Sequence, residues 1–364
     1  MGIYLFEKIV EISGKLPWKK SAIKKVNPSG GNAMSMHSRF AQKIEEYHEI
    51  RTIVPAVDMH LHLVNFLQDT EGMNYLLETM NQGNILKAVV FGLPVKKKWD
   101  SIEPLKPSYY LDDDSRCYYW VGTDEIVAHE YTRLSPENRK RIAPCLCGFN
   151  PTDMGCIDYI EYMFEKYPFW KGIGEIICRH DDLTNLTLDE TARVNHAALT
   201  KVFEFGVKKK IPVCVHQNST SVGLHSQYEY LHEMRDVLDR HPDTTVVWAH
   251  CGGSRRVYHQ EYYRMVSSLL NEYSHLYVDF SWVVYENLIC EPRRGEQEPL
   301  IPRQEWIEEV VLPYQERIML GSDLCGKFNQ AGRTMARYNG LLETLPVDAR
   351  KKIARLNAEE LWFG

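Results

Sequence analysis

The stretch VDMHLHLV, residues 57–64, places two histidines on alternate positions of a run that is apolar apart from them and Asp58. Its apolar character and its valines read as a buried β-strand. Positions two apart on a strand point the same way, which predicts Asp58, His60 and His62 on one face. A buried imidazole needs a hydrogen-bond partner or a metal, and two side by side without a common ligand are costly to desolvate. A shared cation removes that cost, so the pattern asks for further ligands elsewhere.

Working outward, the rest of the chain repeats the apolar motif. The runs are VPAVDMHLHL (54–63), AVVFGLP (88–94), IAPCLCGFN (142–150), GIGEIIC (172–178), IPVCVHQN (211–218), TVVWAHCGG (245–253), LYVDFSW (276–282) and IMLGSDLCG (318–326). Amphipathic stretches separate them. In TLDETARVNHAALTKVFEFGVKKK (187–210), Thr187 and Glu190 have capping-box spacing, and Lys208 to Lys210 suit a helix C-terminus; TDEIVAHEYTRL (123–134) also reads as helical. Continuous apolar strands alternating with helices imply an α/β fold with a parallel sheet covered by helices; eight such units make a (β/α)8 TIM barrel. The connections after the second and seventh strands are longer than the fold requires. They leave the rim where barrel active sites are built, which makes them candidate lids and substrate walls.

Four other runs end in metal-type side chains: Glu175 in the fourth, His216 in the fifth, His250 in the sixth and Asp323 in the eighth. Any one alone reads as a satisfied structural residue. Together with His60 and His62 they form a six-residue set at one rim. Imidazole nitrogens and carboxylate oxygens suit Zn²⁺ first, with Mn²⁺, Fe²⁺ or Ni²⁺ also compatible. Arg179 and His180 after Glu175, Arg255 after His250 and Lys327 after Asp323 are candidate contacts for an anionic substrate. Asp58 reads as an orienting group for a ligand histidine or a nearby backbone amide.

The H-x-H of the first strand, the histidines of the fifth and sixth and the aspartate of the eighth resemble the amidohydrolase superfamily. HCGG, GSD and the closing NAEELWFG are most similar to its amidohydrolase-related branch, which includes aminocarboxymuconate-semialdehyde decarboxylase-like enzymes; GIGEI instead resembles the strand-4 glutamate of the TatD-like nucleases. The resemblance covers roughly residues 54–364. It implies that His60, His62 and Asp323 hold one metal, that His216 and His250 hold a second, and that Glu175 bridges the two. In one-metal relatives His216 joins the first site and His250 acts in catalysis. It further implies a metal-activated water attacking an amide, ester, lactone or related bond, with Asp323 as general base and then acid. The alternative is a mononuclear, non-oxidative decarboxylase of a carboxylated ring or dienoate.

Composition bounds the rest. The chain has 364 residues, of which 44% are hydrophobic and 25% charged, as in globular enzymes and unlike disordered or fibrous chains. No apolar run approaches the roughly 18–20 residues of a membrane span. Nine scattered cysteines with no C-x-x-C pair predict reduced thiols and a cytoplasmic setting. Residues 1–43 carry eight Lys or Arg against two Glu, although the whole chain has a net charge of −6. Residues 1–36 therefore read as a basic arm and linker and 37–364 as the hydrolase barrel. The acidic body argues against nucleic acid as a partner and leaves a small molecule. Barrels of this type often form homo-oligomers.

Overall fold

The computed structural model describes residues 51–100, 104–106, 110, 115–224, 227–257, 259–282, 284–291 and 300–364. The basic arm, the start of the expected body and parts of both long connections lie outside the described residues. Eight strand positions follow one another as the sequence predicts: β1 (Ala56–His62), β2 (Ile85–Phe91), β3 (Ile142–Leu146), β4 (Gly172–Cys178), β5 (Val213–Gln217), β6 (Val246–Trp248), β7 (Leu276–Asp279) and β8. The last is split into Ile318–Met319 and Leu324–Cys325. Each strand pairs in parallel with its sequence neighbours, and the two halves of β8 pair with β7 and β1 respectively. The sheet thus begins and ends on the same strand. Met59 N donates to Leu320 O at 2.9 Å and Asp323 N to His60 O at 2.7 Å, so the ring closes as a TIM barrel.

Helices α1 (Met73–Gln82), α2 (Gly122–Thr132), α3 (Cys156–Lys166), α4 (Thr200–Lys209), α5 (Leu231–Arg240) and α6 (Tyr262–Glu272) turn apolar residues such as Leu76, Val127, Ile160, Phe203, Val237 and Leu269 into the outer core. The barrel's interior is a separate cluster that includes Val57, Met59, Val89, Phe91, Cys214, Val247, Met319 and Trp362. Trp362 comes from the C-terminal helix Asn357–Phe363. The bare Cα of Gly172 at the start of β4 makes room for it, because a Cβ there would lie 2.3 Å from the indole. This accounts for the closing NAEELWFG: the barrel is plugged at the end opposite the expected site.

The expected helix over 187–210 is shorter. A single 3-10 turn, Ala197–Leu199, precedes α4, and the Thr187 hydroxyl donates to Thr184 O rather than capping a helix. Tertiary bonds hold the upstream segment extended: Arg179 N donates to Ala192 O, and Val194 N to the buried Gln217 side chain. These bonds and the burial of Ala192 and Val194 override local helix propensity. The lysines at the C-terminal end do match, and Lys210 ends α4 in the left-handed conformation.

Candidate metal centre

Strand alternation alone does not build the site. Val57 and Met59 both point into the barrel, so alternation would turn His60 outward, but a register shift between Asp58 and Leu61 breaks the period. Such bulges re-aim side chains at barrel rims. His60 and His62 thereby enter the interior while Asp58 turns aside. The expected common face for all three is corrected accordingly: Asp58 Oδ1 accepts from the backbone N of Ser322 at 2.8 Å and of His60 at 3.2 Å. It holds the turn before Asp323 instead of facing the cavity.

The same device recurs. A register shift between Ile173 and Ile176 in β4 presents Glu175. His250 and Asp323 have φ of 56° and 53°, conformations unfavourable for residues with a Cβ and concentrated at functional sites. Gly321 allows β8 to pass β1, since a Cβ there would meet the His60 Cβ at 2.5 Å. His216 is reached by plain alternation from Cys214.

The six residues converge. Glu175 Oε1 lies 3.1 Å from His216 Nδ1, 3.4 Å from His250 Nε2 and 3.5 Å from His60 Nε2. Its Oε2 lies 3.4 Å from His62 Nε2, which is also 3.2 Å from Asp323 Oδ1. All but Asp323 are buried. Five of them, all but His60, line a cavity of about 250 Å³ together with His180, Tyr110, Trp282, Asn65, Lys327 and Arg337.

The outer nitrogens of the rings explain why a cation fits. His62 Nδ1 donates to the Gly92 carbonyl at 2.6 Å, so in a neutral ring its Nε2 carries a lone pair aimed at two carboxylates. His60 Nδ1 pairs with Asp279 Oδ2 at 3.2 Å, and its Nε2 is buried without a hydrogen-bond partner. His216 Nε2 faces Asn218 Oδ1 at 3.1 Å, which turns Nδ1 toward Glu175. His250 Nδ1 meets the Ser281 hydroxyl at 2.7 Å. Lone pairs facing carboxylates need a positive charge between them. Two ligand atoms about 2.1 Å from a zinc ion at the tetrahedral angle stand roughly 3.4 Å apart, which matches the separations above. Without metal, protons take that role. Burial opposes charge on His62, but the hydrogen bonds of Asp323 and Glu175 outweigh it and push the ring up to about 9. Burial likewise opposes ionisation of Glu175, and the charge of His60 with the hydrogen bonds of His216 and His250 holds it well below the usual range.

The predicted cationic contacts divide. His180 and Lys327 line the cavity. Arg179 and Arg255 do not, because both guanidinium groups are committed to carboxylates. Arg179 grips the buried Glu233 at 2.6 and 3.0 Å across the ring of Tyr230. Arg255 pairs with Asp182 and lies over Tyr110 and Trp282, and Arg256 pairs with Asp181 and Asp182. Asp181 accepts in turn from Asn218 at 3.4 Å, so this ion network reaches the candidate ligand His216 through Asn218. Asp279 was missed by the sequence reading, though an acid closing the apolar LYVD run was a legible signal. Arg337, paired with Glu286, was also missed because it lies just after the helix Ala331–Ala336, beyond β8. Of the long connections, the first supplies Tyr110 to the cavity wall, and Trp282 at the start of the second joins it.

A sequence profile described as amidohydrolase matches residues 177–364, about half of the chain, which takes in His216, His250 and Asp323 but begins after Glu175. No curated protein matches the sequence. Among solved structures, an uncharacterised TIM-barrel protein from Bordetella bronchiseptica is 15% identical with a TM-score of 0.50, over 84% of this chain and 97% of that one. A dihydroorotase from Campylobacter jejuni is 15% identical with a TM-score of 0.48, over 84% and 82%. A 2,6-dihydroxybenzoate decarboxylase from Rhizobium is 12% identical with a TM-score of 0.49, over 85% and 99%. At 15% identity the likeness to the first is one of fold. The sequence match across the second half of a closed eight-stranded barrel establishes that the chain belongs to the amidohydrolase family.

Proposed function

We propose that this chain is a metal-dependent hydrolase that cleaves an amide, ester, lactone or related bond in a small anionic organic substrate. Zn²⁺ is the first candidate metal, with two ions rather than one. The observation that carries this reading is the position of Glu175, whose two oxygens reach nitrogens of all four histidines at 3.1–3.5 Å. A carboxylate so placed would serve two cations, His60, His62 and Asp323 holding one and His216 and His250 the other. When bound, such ions supply Lewis acidity and lower the pKa of water.

The chain's own groups supply the remainder. Asp323, whose side chain is 15% exposed, can take a proton from water in the cavity and return it to the leaving group. Asp279 and the Gly92 carbonyl hold His60 and His62 in the required tautomer. Lys327 has no ion-pair partner among the described residues and suits a substrate carboxylate. All nine cysteines are free, which supports a reducing, cytoplasmic setting. No helix among the described residues is long and apolar enough to cross a membrane.

One observation favours the decarboxylase reading: His60, His62 and Asp323 already form a metal-type cluster sufficient for a single ion. The test is to strip the metal, restore zinc, and assay a panel of carboxylated lactones, esters and benzoates for acid release and for carbon dioxide. Zinc-restored hydrolysis supports the proposal; carbon dioxide from a singly loaded chain supports the alternative.

A further inference from the structure

We propose that His180 is a further catalytic residue, a neutral imidazole that donates its Nε2–H to the substrate oxygen on which negative charge develops. This rests on the hydrolase reading and adds to it a hydrogen-bond donor from the protein. His180 follows β4 and is 6% exposed. Its Nδ1 accepts from the backbone N of Asp182 at 3.0 Å and of Leu183 at 3.0 Å. A ring nitrogen that accepts two N–H bonds carries no proton itself, so the ring is neutral and its one proton is on Nε2. That atom has no hydrogen-bond partner among the described residues, and the ring forms part of the cavity wall beside Glu175, His216 and His250.

The ring is also held in place. It lies 4.7 Å from the His216 ring, 5.8 Å from Trp282 and 6.1 Å, edge to face, from Tyr110. The turn that supplies its two backbone donors is pinned by Arg255 and Arg256 through Asp182 and Asp181. Those pairings neutralise both aspartates, so His180, Asp181 and Asp182 do not make a second cation site. A donor left without an acceptor at the cavity wall is satisfied by an incoming carbonyl or tetrahedral oxygen. A fixed donor on the cavity wall is the arrangement that stabilises an oxyanion without reorganisation.

The test uses the full-length, zinc-loaded chain with labelled histidine nitrogens and inorganic phosphate as a tetrahedral oxyanion probe. Long-range proton–nitrogen spectra should show His180 as the Nε2–H tautomer, with that nitrogen shifting on addition of phosphate. His180→Ala should retain the parent's zinc content, bind phosphate at least about tenfold more weakly, and lose about 10²–10³ in kcat on whichever ester or lactone the parent hydrolyses. His180→Gln, which keeps an N–H donor, should recover part of the loss, as a purely packing role would not require. An Nδ1–H tautomer, absence of phosphate binding to the zinc-loaded parent, or equal binding by parent and His180→Ala overturns the proposal. A parent that takes up no zinc refutes the hydrolase reading instead, and the tautomer is still read in that protein.

Discussion

Asp279 Oδ2 lies 3.2 Å from His60 Nδ1 at the end of β7, and both side chains are fully buried. The carboxylate fixes which nitrogen of His60 carries a proton and turns the other toward Glu175 and Asp323. Its second oxygen accepts from His250 N at 3.3 Å and Ser281 N at 2.9 Å, so one residue braces two of the candidate ligand histidines. Burial opposes ionisation, but the charge and hydrogen bond of His60 hold the acid at about 2.

Asp279→Asn should therefore weaken zinc binding about 10–100-fold while leaving the fold intact. Competition with a chromogenic chelator measures the affinity, and circular dichroism checks the fold. Unchanged affinity would show that Asp279 is a packing residue.

The C-terminal plug gives a stability prediction. Gly172→Ala puts a methyl group 2.3 Å from the Trp362 ring and 3.1 Å from Pro212 O, and neither the buried indole nor the backbone can yield freely. Overpacking of this kind destabilises by about 1–3 kcal/mol. Urea unfolding should show a lower midpoint with the slope preserved.

Asp124 gives a pH prediction away from the metal residues. It is buried in α2, accepts from the backbone N of Cys147 and Gly148 and from the Tyr159 hydroxyl, and is pushed up by burial from 3.8 to about 7. A raised acid binds its proton more tightly in the folded state. Its contribution is present in full below the unfolded value and is lost as pH rises through the folded one. Asp124→Asn should flatten the part of the stability profile between pH 3.8 and about 7. Denaturant titrations across that range, run on parent and variant, make the comparison; identical slopes would contradict it.

Much of this architecture was legible in the sequence, but not always for the reason it suggested. The eight apolar runs located the strands because a barrel buries its strands on both faces. His60 and His62 were identified by type and by position at a strand end, yet simple alternation would have turned His60 outward, and a bulge corrects it. Bulges and left-handed residues such as His250 and Asp323 leave no periodic trace, so the sequence could locate the candidate ligands without showing how they are aimed. Arg179 and Arg255 read as substrate contacts because their partner Glu233 and the rings of Tyr110 and Trp282 come from distant segments. Asp279 was passed over because a single acid in an apolar run resembles a strand terminus.

The proposed function requires Glu175 to serve two cations held by the surrounding histidines and Asp323. Elemental analysis of chain purified without chelators, set beside Glu175→Ala, tests it most directly. About two metal equivalents are expected in the parent and no more than one in the variant. A parent that stays empty in excess zinc, or a variant that keeps the parent's full complement, would contradict it.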